Sequence, residues 1–149
     1  MPGIAAIALI SDAQGRVLLV QQRGGPFAGA WLLPGGRAGD DESTVHALVR
    51  EVREETGLEL TDATYVAAYR TASEPPGDYE LTVVLYRGPA HGTLVAEPGS
   101  GAGWFDIADI PLPHPALRRQ LFDANAGSDD DAAIDEALAV AGIRMDRMG

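Results

Sequence analysis

The sequence contains no cysteine and no lysine. The lack of cysteine excludes disulfides, thiolate nucleophiles and cysteine-ligated zinc or iron–sulfur sites. The lack of lysine means that all 11 basic residues are arginines, against 22 acidic residues and a formal net charge of -11. So acidic a protein is a poor candidate for sequence-independent binding of nucleic acid, because phosphate contacts require a basic surface. An anionic substrate would need cations placed locally at its site.

Long apolar runs are also missing. The run near the N-terminus, residues 4–10, is too short for a membrane span, and without a basic leader it lacks the form of a signal peptide. We therefore expect a cytoplasmic protein without a membrane partner. With 149 residues, of which 46% are hydrophobic, the chain can bury one core. We expect a single domain over residues 1–149, with an acidic C-terminal tail from about residue 126.

Turn residues between apolar runs predict the strands. Residues 3–10 and 16–23 are separated by "SDAQG" and predict a hairpin of buried strands. Further strands are predicted at residues 31–33, 63–72, 79–88 and 93–96 and from residue 103 onwards.

Three helices are predicted among these strands. The first runs from about Glu42 to Thr56, where Gly57 supplies the C-terminal stop. The second covers residues 113–124, and the third begins near Asp129 and ends in a frayed terminus. Because strands precede and follow the first helix, the class is mixed α/β with a helix-flanked sheet.

The first helix carries an unusual concentration of charge. Glu51, Glu54 and Glu55 are spaced i, i+3 and i+4 and therefore share one face. The predicted buried stripe on another side consists of Val45, Leu48, Val49 and Val52. Three like charges repel one another, and a bound Mg²⁺ would offset that repulsion. From charge spacing alone, a solvated acidic face balanced by Arg50 and Arg53 is favoured.

A longer pattern around these glutamates changes that interpretation. From Gly36 the order is glycine, five residues, Glu42, seven residues, and then "REVREETGL" at residues 50–58. This resembles the Nudix box, GX5EX7REUXEEXGU with U aliphatic, at every fixed position. The preceding "WLLPGG" is also typical of that family. On this pattern the chain is identified as a member of the Nudix family.

The resemblance implies a Nudix fold, an α/β/α sandwich with a central mixed β-sheet. It also implies metal-dependent hydrolysis of a nucleoside diphosphate linked to a further group X, by attack of water on phosphorus. The implied cofactor is Mg²⁺, with Mn²⁺ as a substitute. Gly39 and Asp41 replace residues that many members carry in the loop before the helix, but both positions lie outside the formal box.

The same resemblance implies a role for each box residue. The implied metal ligands are Glu51, Glu54, Glu55 and the backbone carbonyl of Gly36. Arg50 is implied to orient a box glutamate, for which a bidentate guanidinium is well suited. Glu42 and Gly57 are implied to be structural. The implied catalytic group is Glu51, Glu54 and Arg50, with Glu51 as our first choice of general base in a family whose base varies.

Two sites are suggested outside the box. Some members add a metal-binding glutamate from a loop before a later Trp strand, and Glu97 is the best candidate here, with Glu74 and Glu80 as competitors. An exposed loop glutamate is an equally good interpretation of Glu97. Arg23 follows a strand where family members often carry an arginine near substrate phosphates, although its spacing alone favours a surface charge.

The other candidate residues are interpreted as structural. His46 is expected on the helix surface, and His91 and His114 are expected to be ordinary turn residues. The aromatic residues that could stack on a base, but that more often pack, are Phe27, Trp31 and Tyr79.

The substrate class is left partly open. The short chain favours a MutT-like enzyme that converts a nucleoside triphosphate to the monophosphate and pyrophosphate. Pro75 and Pro76, 17 and 18 residues past Leu58, nearly match a proline of ADP-ribose pyrophosphatases, so ADP-ribose or another nucleoside diphosphate sugar is the alternative. A nucleotide-sensing module without catalysis is the alternative of another class. The expected partner is a small nucleotide, and a homodimer remains open.

Overall fold

The structure, a computed structural model, describes residues 3–77, 79–127 and 130–148. The strands found there are β1 (Gly3–Leu9), β2 (Val17–Gln21), β3 (Trp31–Leu32), β4 (Gly35–Arg37), β5 (Glu59–Leu60), β6 (Thr64–Ser73), β7 (Glu80–Arg87), β8 (Ala90–His91), β9 (Ala102–Phe105) and β10 (Ile143–Arg147). The helices are α1 (Thr44–Thr56), α2 (Leu117–Asp123) and α3 (Asp131–Val140), and a 3-10 turn spans Ile107–Asp109. Of the helices in these ranges, none has the length and apolar character that crossing a membrane requires.

The largest sheet has five strands in the order β10–β6–β7–β1–β4. β1 and β7 run parallel, with Ile7 opposite Leu85, and the other neighbours in this sheet are antiparallel. β1 therefore lies between two partners, which suits its apolar sequence. The predicted central mixed sheet is confirmed.

Alternate residues of β1 face two separate cores, as the two-residue period of a strand requires. Ala6 and Ala8 face the core beneath α1, which includes Leu48 of that helix. Ile7 and Leu9 face a second core on the other side of the sheet. The members that α2 and α3 contribute to this second core are Leu117, Leu121, Ile134 and Leu138. Helices thus cover both faces, and the predicted α/β/α sandwich is confirmed.

The prediction that β1 and β2 pair as a hairpin is wrong, because the two strands belong to different sheets. A turn does connect them, in which the Asp12 carboxylate accepts hydrogen bonds from the backbone N–H groups of Gln14 and Arg16 (3.0 and 2.8 Å). One isolated bridge joins Ser11 to Val17, and β2 then pairs with β3 and β9 in a second sheet. Both edges of β1 are occupied by β4 and β7, so neither is left for β2.

α1 begins at Thr44, two residues after the predicted start, because Ser43 is its N-cap and accepts a hydrogen bond from the His46 N–H (3.1 Å). Gly57 ends the helix in the left-handed conformation, with φ of 74°, as predicted. The buried stripe is partly corrected. Ala47, Leu48 and Val52 are buried, whereas Val45 is 41% exposed because it lies in the first turn, outside the core cluster.

Two local predictions near the end of the sheet are also corrected. The predicted strand at 93–96 is an irregular loop, whose Val95 N–H donates to the carbonyl of Thr56 (2.8 Å). The second helix begins at Leu117 instead of residue 113. The backbone N–H of His114 donates to the carbonyl of Trp31 (2.8 Å), so this stretch is used to join β3 and does not extend the helix.

The acidic tail is part of the fold. α3 begins at Asp131, after Asp130 caps it by accepting a hydrogen bond from the Ala133 N–H (2.8 Å); the predicted start at Asp129 lies outside the described residues. The predicted frayed end is wrong, because β10 pairs antiparallel with β6. Ile143 and Met145 alternate with charged residues in β10 and are buried. This short strand thus covers the edge of the sheet, and its two apolar side chains face the core.

Candidate active site

α1 carries Glu51, Glu54 and Glu55, and the short strand β4 packs against this helix. The backbone N–H of Gly35 donates to Oε1 of Glu55 (2.8 Å). The carboxyl group of Glu51 lies against Gly36, where an added Cβ would come within 2.6 Å of the Glu51 Cδ. A side chain at Gly36 would therefore displace the Glu51 carboxylate.

Arg50 binds several carboxylates at once. Its Nε and Nη2 donate to the two carboxylate oxygens of Glu42 (2.8 and 2.9 Å), which is bidentate geometry. Its Nη1 donates to Glu51 Oε1 (2.9 Å) and lies 3.4 Å from both carboxylate oxygens of Glu54. Arg50 is thus located where the implied orienting role requires a cation.

Glu42 anchors the loop before α1. Hydrogen bonds from Arg50, and then one from the backbone N–H of Gly39, lower the pKa of Glu42 to about 2. Glu42 therefore stays ionised at neutral pH and ties the loop to the helix, which suits the structural role that the resemblance implies for it. The loop residue that departs from the common family pattern, Gly39, supplies the N–H of this contact.

Glu55 has the opposite shift. Burial raises its pKa from 4.5 to about 7; the Gly35 N–H opposes this, and the nearby charges of Glu51, Glu97 and Glu54 add to it. The carboxylates of Glu51, Glu54 and Glu97 are therefore close enough to Glu55 to disfavour its ionised form.

Glu97 joins this group from a different part of the chain. Its backbone N–H donates to the carbonyl of Glu55 (3.2 Å). Its carboxylate lies 3.1 Å from Nη1 of Arg23, whose Nη2 also donates to the carbonyl of Pro98. Glu55, Glu97, Arg23 and Ser100 line a cavity of about 210 Å³, which we call the carboxylate cleft. The structure thus brings both predicted residues outside the box, Glu97 and Arg23, to the box glutamates.

The two competitors of Glu97 are located elsewhere. Glu74 is exposed after β6, where its backbone N–H donates to the carbonyl of Gly142 (2.9 Å). Glu80 is exposed at the start of β7. Neither residue lines the carboxylate cleft.

A second cavity of about 370 Å³, the apolar cavity, adjoins the carboxylate cleft. The two cavities share the lining residues Gln22, Leu32, Leu33 and Gly35. Most of the remaining wall is aliphatic or aromatic. The polar side chains on its wall are Gln22, Arg37, Thr71, Tyr79, His114 and Gln120.

Two of these residues were missed from the sequence. Gln120 is 7% exposed, and its side-chain amide has no hydrogen-bond partner within the described part of the chain. The sequence feature that could have revealed Gln120 is its position as a polar residue on the same helical face as Leu117 and Leu121. Arg37 directly follows Gly36 in β4, and its guanidinium forms no ion pair with any described carboxylate. Its signal in the sequence was an arginine directly after the box glycine Gly36.

The histidines and aromatic residues divide into two groups. His46 is exposed on α1, as predicted. His91 is exposed too, but it lies in β8, so its prediction as a turn residue is wrong. His114 is more than a turn residue, because it lines the apolar cavity and its ring contacts Phe27 edge-on, with centroids 4.8 Å apart. Phe27 and Tyr79 line the same cavity. Trp31 packs on Phe105 (4.7 Å between ring centroids).

The carboxylates are grouped but are not arranged around a common point. Within residues 3–77, 79–127 and 130–148, no three carboxylate or imidazole groups are close enough together to hold a metal ion as they stand. Arg50 draws Glu51 and Glu54 to itself, and the Gly35 N–H holds Glu55. The oxygen donors are those that Mg²⁺ prefers, and side-chain rotation would be needed to converge them.

The family model for the NUDIX domain matches residues 1–124. This chain belongs to the Nudix family. A solved structure of a MutT NUDIX hydrolase from Burkholderia pseudomallei is similar, with a TM-score of 0.73 and 30% identity, covering 83% of this chain and 98% of that one. The Nudix resemblance and the predicted Nudix fold are therefore confirmed.

Curated relatives are similar over about three quarters of this Nudix chain. The CTP pyrophosphohydrolase of Escherichia coli (strain K12) is 36% identical over 75% of this chain and 90% of its own length. The ADP-ribose pyrophosphatase of Methanocaldococcus jannaschii is 29% identical over 74% of this chain and 65% of its own length, just under two thirds. The predicted class, a hydrolase acting on phosphoric anhydrides, is confirmed at this level.

Glu55→Gln is expected to stabilise the metal-free protein at pH 8 and to have little effect at pH 4.5. Because the pKa of Glu55 rises from 4.5 to about 7 on folding, the folded state binds more protons in that window, and stability falls as the pH rises through it. Glutamine mimics the neutral acid and removes a loss of at most about 3 kcal/mol. Thermal unfolding in EDTA at both pH values tests this.

The control for this prediction is Glu136→Gln, which changes an exposed glutamate of α3. An equal gain in Tm for Glu55→Gln at pH 4.5 and pH 8 would show that proton binding by Glu55 is not the cause.

Proposed function

We propose that this protein is a divalent-metal-dependent Nudix pyrophosphohydrolase that cleaves a nucleoside triphosphate to the monophosphate and pyrophosphate, by attack of water on phosphorus. The observation that carries the proposal is a group of four carboxylates. Glu51, Glu54 and Glu97 lie close enough to Glu55 to disfavour its ionised form, and Glu55 and Glu97 line the carboxylate cleft that adjoins the apolar cavity. In this proposal the carboxylate cleft takes the phosphates and the apolar cavity takes the nucleoside.

Mg²⁺ is the proposed cofactor, with Mn²⁺ as a substitute. Glu51, Glu54, Glu55, Glu97 and the carbonyl of Gly36 would hold it, since they offer the hard oxygen donors that this ion takes. The raised pKa of Glu55 supports a cation there, because a positive charge would offset the cost of ionising this buried carboxyl and the repulsion from its neighbours. When bound, the ion would neutralise the pyrophosphate and acidify a water molecule.

Residues around the four carboxylates have proposed roles in orientation and charge balance. Arg50 holds Glu51 by one nitrogen and Glu42 by two others, which fixes the direction of the Glu51 carboxylate. Glu51 is the proposed general base. Arg23 is the proposed contact for substrate phosphates, by exchanging its ion pair with Glu97 for a phosphate.

The nucleoside is proposed for the apolar cavity because of what lines it. A wall that is mostly apolar, with few polar groups, suits a planar base better than a second hydrated sugar. The side-chain amide of Gln120, on the wall of this cavity and without a hydrogen-bond partner among the described residues, offers one donor group and one acceptor to the edge of a base. An amide whose donor and acceptor groups are matched by a ligand favours that ligand over one that leaves them unmatched.

ADP-ribose is the second candidate substrate. It is favoured by the similarity to the M. jannaschii ADP-ribose pyrophosphatase, and by Pro75 and Pro76 in the loop that leads to Tyr79 of the apolar cavity. A non-catalytic nucleotide sensor is less favoured, because every box glutamate is intact.

A substrate panel tests these alternatives. Nucleoside triphosphates, including CTP, together with ADP-ribose and nucleoside diphosphate sugars, are incubated with the protein and Mg²⁺, Mn²⁺ or EDTA, and the products are identified. Pyrophosphate and monophosphate from a triphosphate, lost in EDTA, support the proposal. Preferred cleavage of ADP-ribose supports the second candidate, and binding of nucleotides without any turnover supports the sensor.

Glu54→Gln is expected to lower turnover by at least about 100-fold, the upper end for groups one shell further from a metal. The side chain is half exposed, so the fold and the Tm should change little. Steady-state kinetics at saturating Mg²⁺, with circular dichroism as the check on folding, measure both effects. Glu136→Gln is the matched helix control, and near wild-type turnover in Glu54→Gln would contradict the assignment.

Gln120→Met is expected to raise KM for the preferred nucleotide about tenfold and to reduce the discrimination between bases, because the new side chain cannot hydrogen-bond to a base. The value of kcat should change little, since Gln120 does not line the carboxylate cleft. Gln14→Met, at an exposed turn, is the control. An unchanged ranking of the bases would rule out a contact between Gln120 and the base.

A further inference from the structure

We propose that the C-terminal unit, α3 with β10, is a selectivity element of the active site that closes the apolar cavity with the side chain of Ile143. This inference rests on the proposed function of that cavity. The family match ends at residue 124, so the unit lies wholly beyond the part of the chain that identifies the reaction.

The register of β10 brings Ile143 to the cavity. Ile143 pairs with Ser73 and Met145 pairs with Thr71, on the edge strand β6. Ile143 is 5% exposed and lines the apolar cavity together with Thr71 and Tyr79. Without β10 the cavity would lose this wall and β6 would become an open edge.

Met145 provides an internal comparison. It is 7% exposed, belongs to the same core cluster as Ile143 and lies two residues further along the same strand, but it does not line the cavity. Both side chains therefore belong to the core, but only that of Ile143 lines the apolar cavity.

Ion pairs hold this unit in place, and we call them the C-terminal clasp. Arg147 of β10 donates to Asp123 of α2 (2.6 Å) and to Asp131 of α3 (2.8 Å). Asp123 also accepts a hydrogen bond from the hydroxyl of Tyr69 in β6 (2.6 Å). Every element that borders the unit is therefore joined through Asp123 and Arg147.

Arg119 adds a second, buried connection to the clasp. It is 4% exposed and pairs with Asp135 of α3, while its Nε lies 3.8 Å from Asp131 and has no hydrogen-bond partner in the described residues. A buried guanidinium is costly unless it is paired, so its position depends on α3. Because Arg119 precedes Gln120, the same contact fixes the helix that presents Gln120 to the cavity.

The C-terminal unit contacts one of the two cavities and not the other. Ile143 lines only the apolar cavity, and the carboxylate cleft contains no residue of α3 or β10. The unit therefore sets how well the nucleoside is held, and the cleavage step at the glutamates is left unchanged.

The first test compares Ile143→Ala with Met145→Ala. Both variants are expected to lose thermal stability, because each removes buried apolar side-chain atoms. Only Ile143→Ala is expected to raise KM for the preferred nucleotide, by about tenfold with little change in kcat, and to improve the relative use of base-substituted nucleotides. Equal KM values in the two variants, whether raised or not, would overturn the proposal.

The second test concerns the clasp. Arg147→Gln is expected to raise KM in the same direction as Ile143→Ala, and to speed hydrogen exchange in β10. Arg144→Gln, which removes an exposed ion pair with Asp146 in the same strand, should do neither. A normal KM in Arg147→Gln with fast exchange in β10 would show that the unit does not shape the site.

Failure of the proposed function is distinguishable from failure of this inference. If the wild-type protein turns over no nucleotide, binding of a non-hydrolysable nucleoside triphosphate is measured by calorimetry instead. A Kd weakened in Ile143→Ala but not in Met145→Ala supports the selectivity element even then, and equal Kd values reject it.

Discussion

The carboxylates of α1 depend on how closely the backbone of β4 approaches the helix. At Gly35 the φ angle is 148°, and an added Cβ would lie 2.0 Å from the carbonyl oxygen of Ala6 in β1. Only glycine is tolerated there, and the strand can then reach both Glu51 and Glu55. The "PGG" before the helix thus determines where two of its glutamates lie, because the backbone of β4 binds one of them and leaves space for the other.

The glutamates of this region differ widely in pKa, although their side chains are identical. Glu42 is held by Arg50 and has a pKa of about 2, whereas Glu55 is buried beside other carboxylates and has a pKa of about 7. One cation cannot satisfy every glutamate of the group. Arg50 neutralises the charge at the loop, and the unneutralised charge is concentrated at the cleft. The local fold is consistent with a site that is complete only with a further positive charge.

Sequence could predict the parts of the site that lie within one helix and its flanking loops. The face shared by Glu51, Glu54 and Glu55 and the stop at Gly57 follow from helix geometry over a few residues. The pairing of β2 away from β1, and of β10 with β6, depends on which sheet edges are free, which is a property of the whole fold. β10 is short and mostly charged, so its two apolar residues gave too weak a pattern to predict a strand.

The two cavities were predictable to different degrees for the same reason. The charged residues of the carboxylate cleft, Arg23, Glu55 and Glu97, were each predicted from the box or from family positions outside it, whereas the apolar cavity takes residues from loops and strands distributed from Ala5 to Ile143. A motif confined to residues 36–58 therefore identifies the class of reaction but carries little information about the substrate. Relatives of similar identity to this chain are accordingly named for CTP and for ADP-ribose. In this fold the reaction motif is encoded locally, and the selectivity that we propose depends on the tertiary structure that brings Gln120 and Ile143 to one cavity.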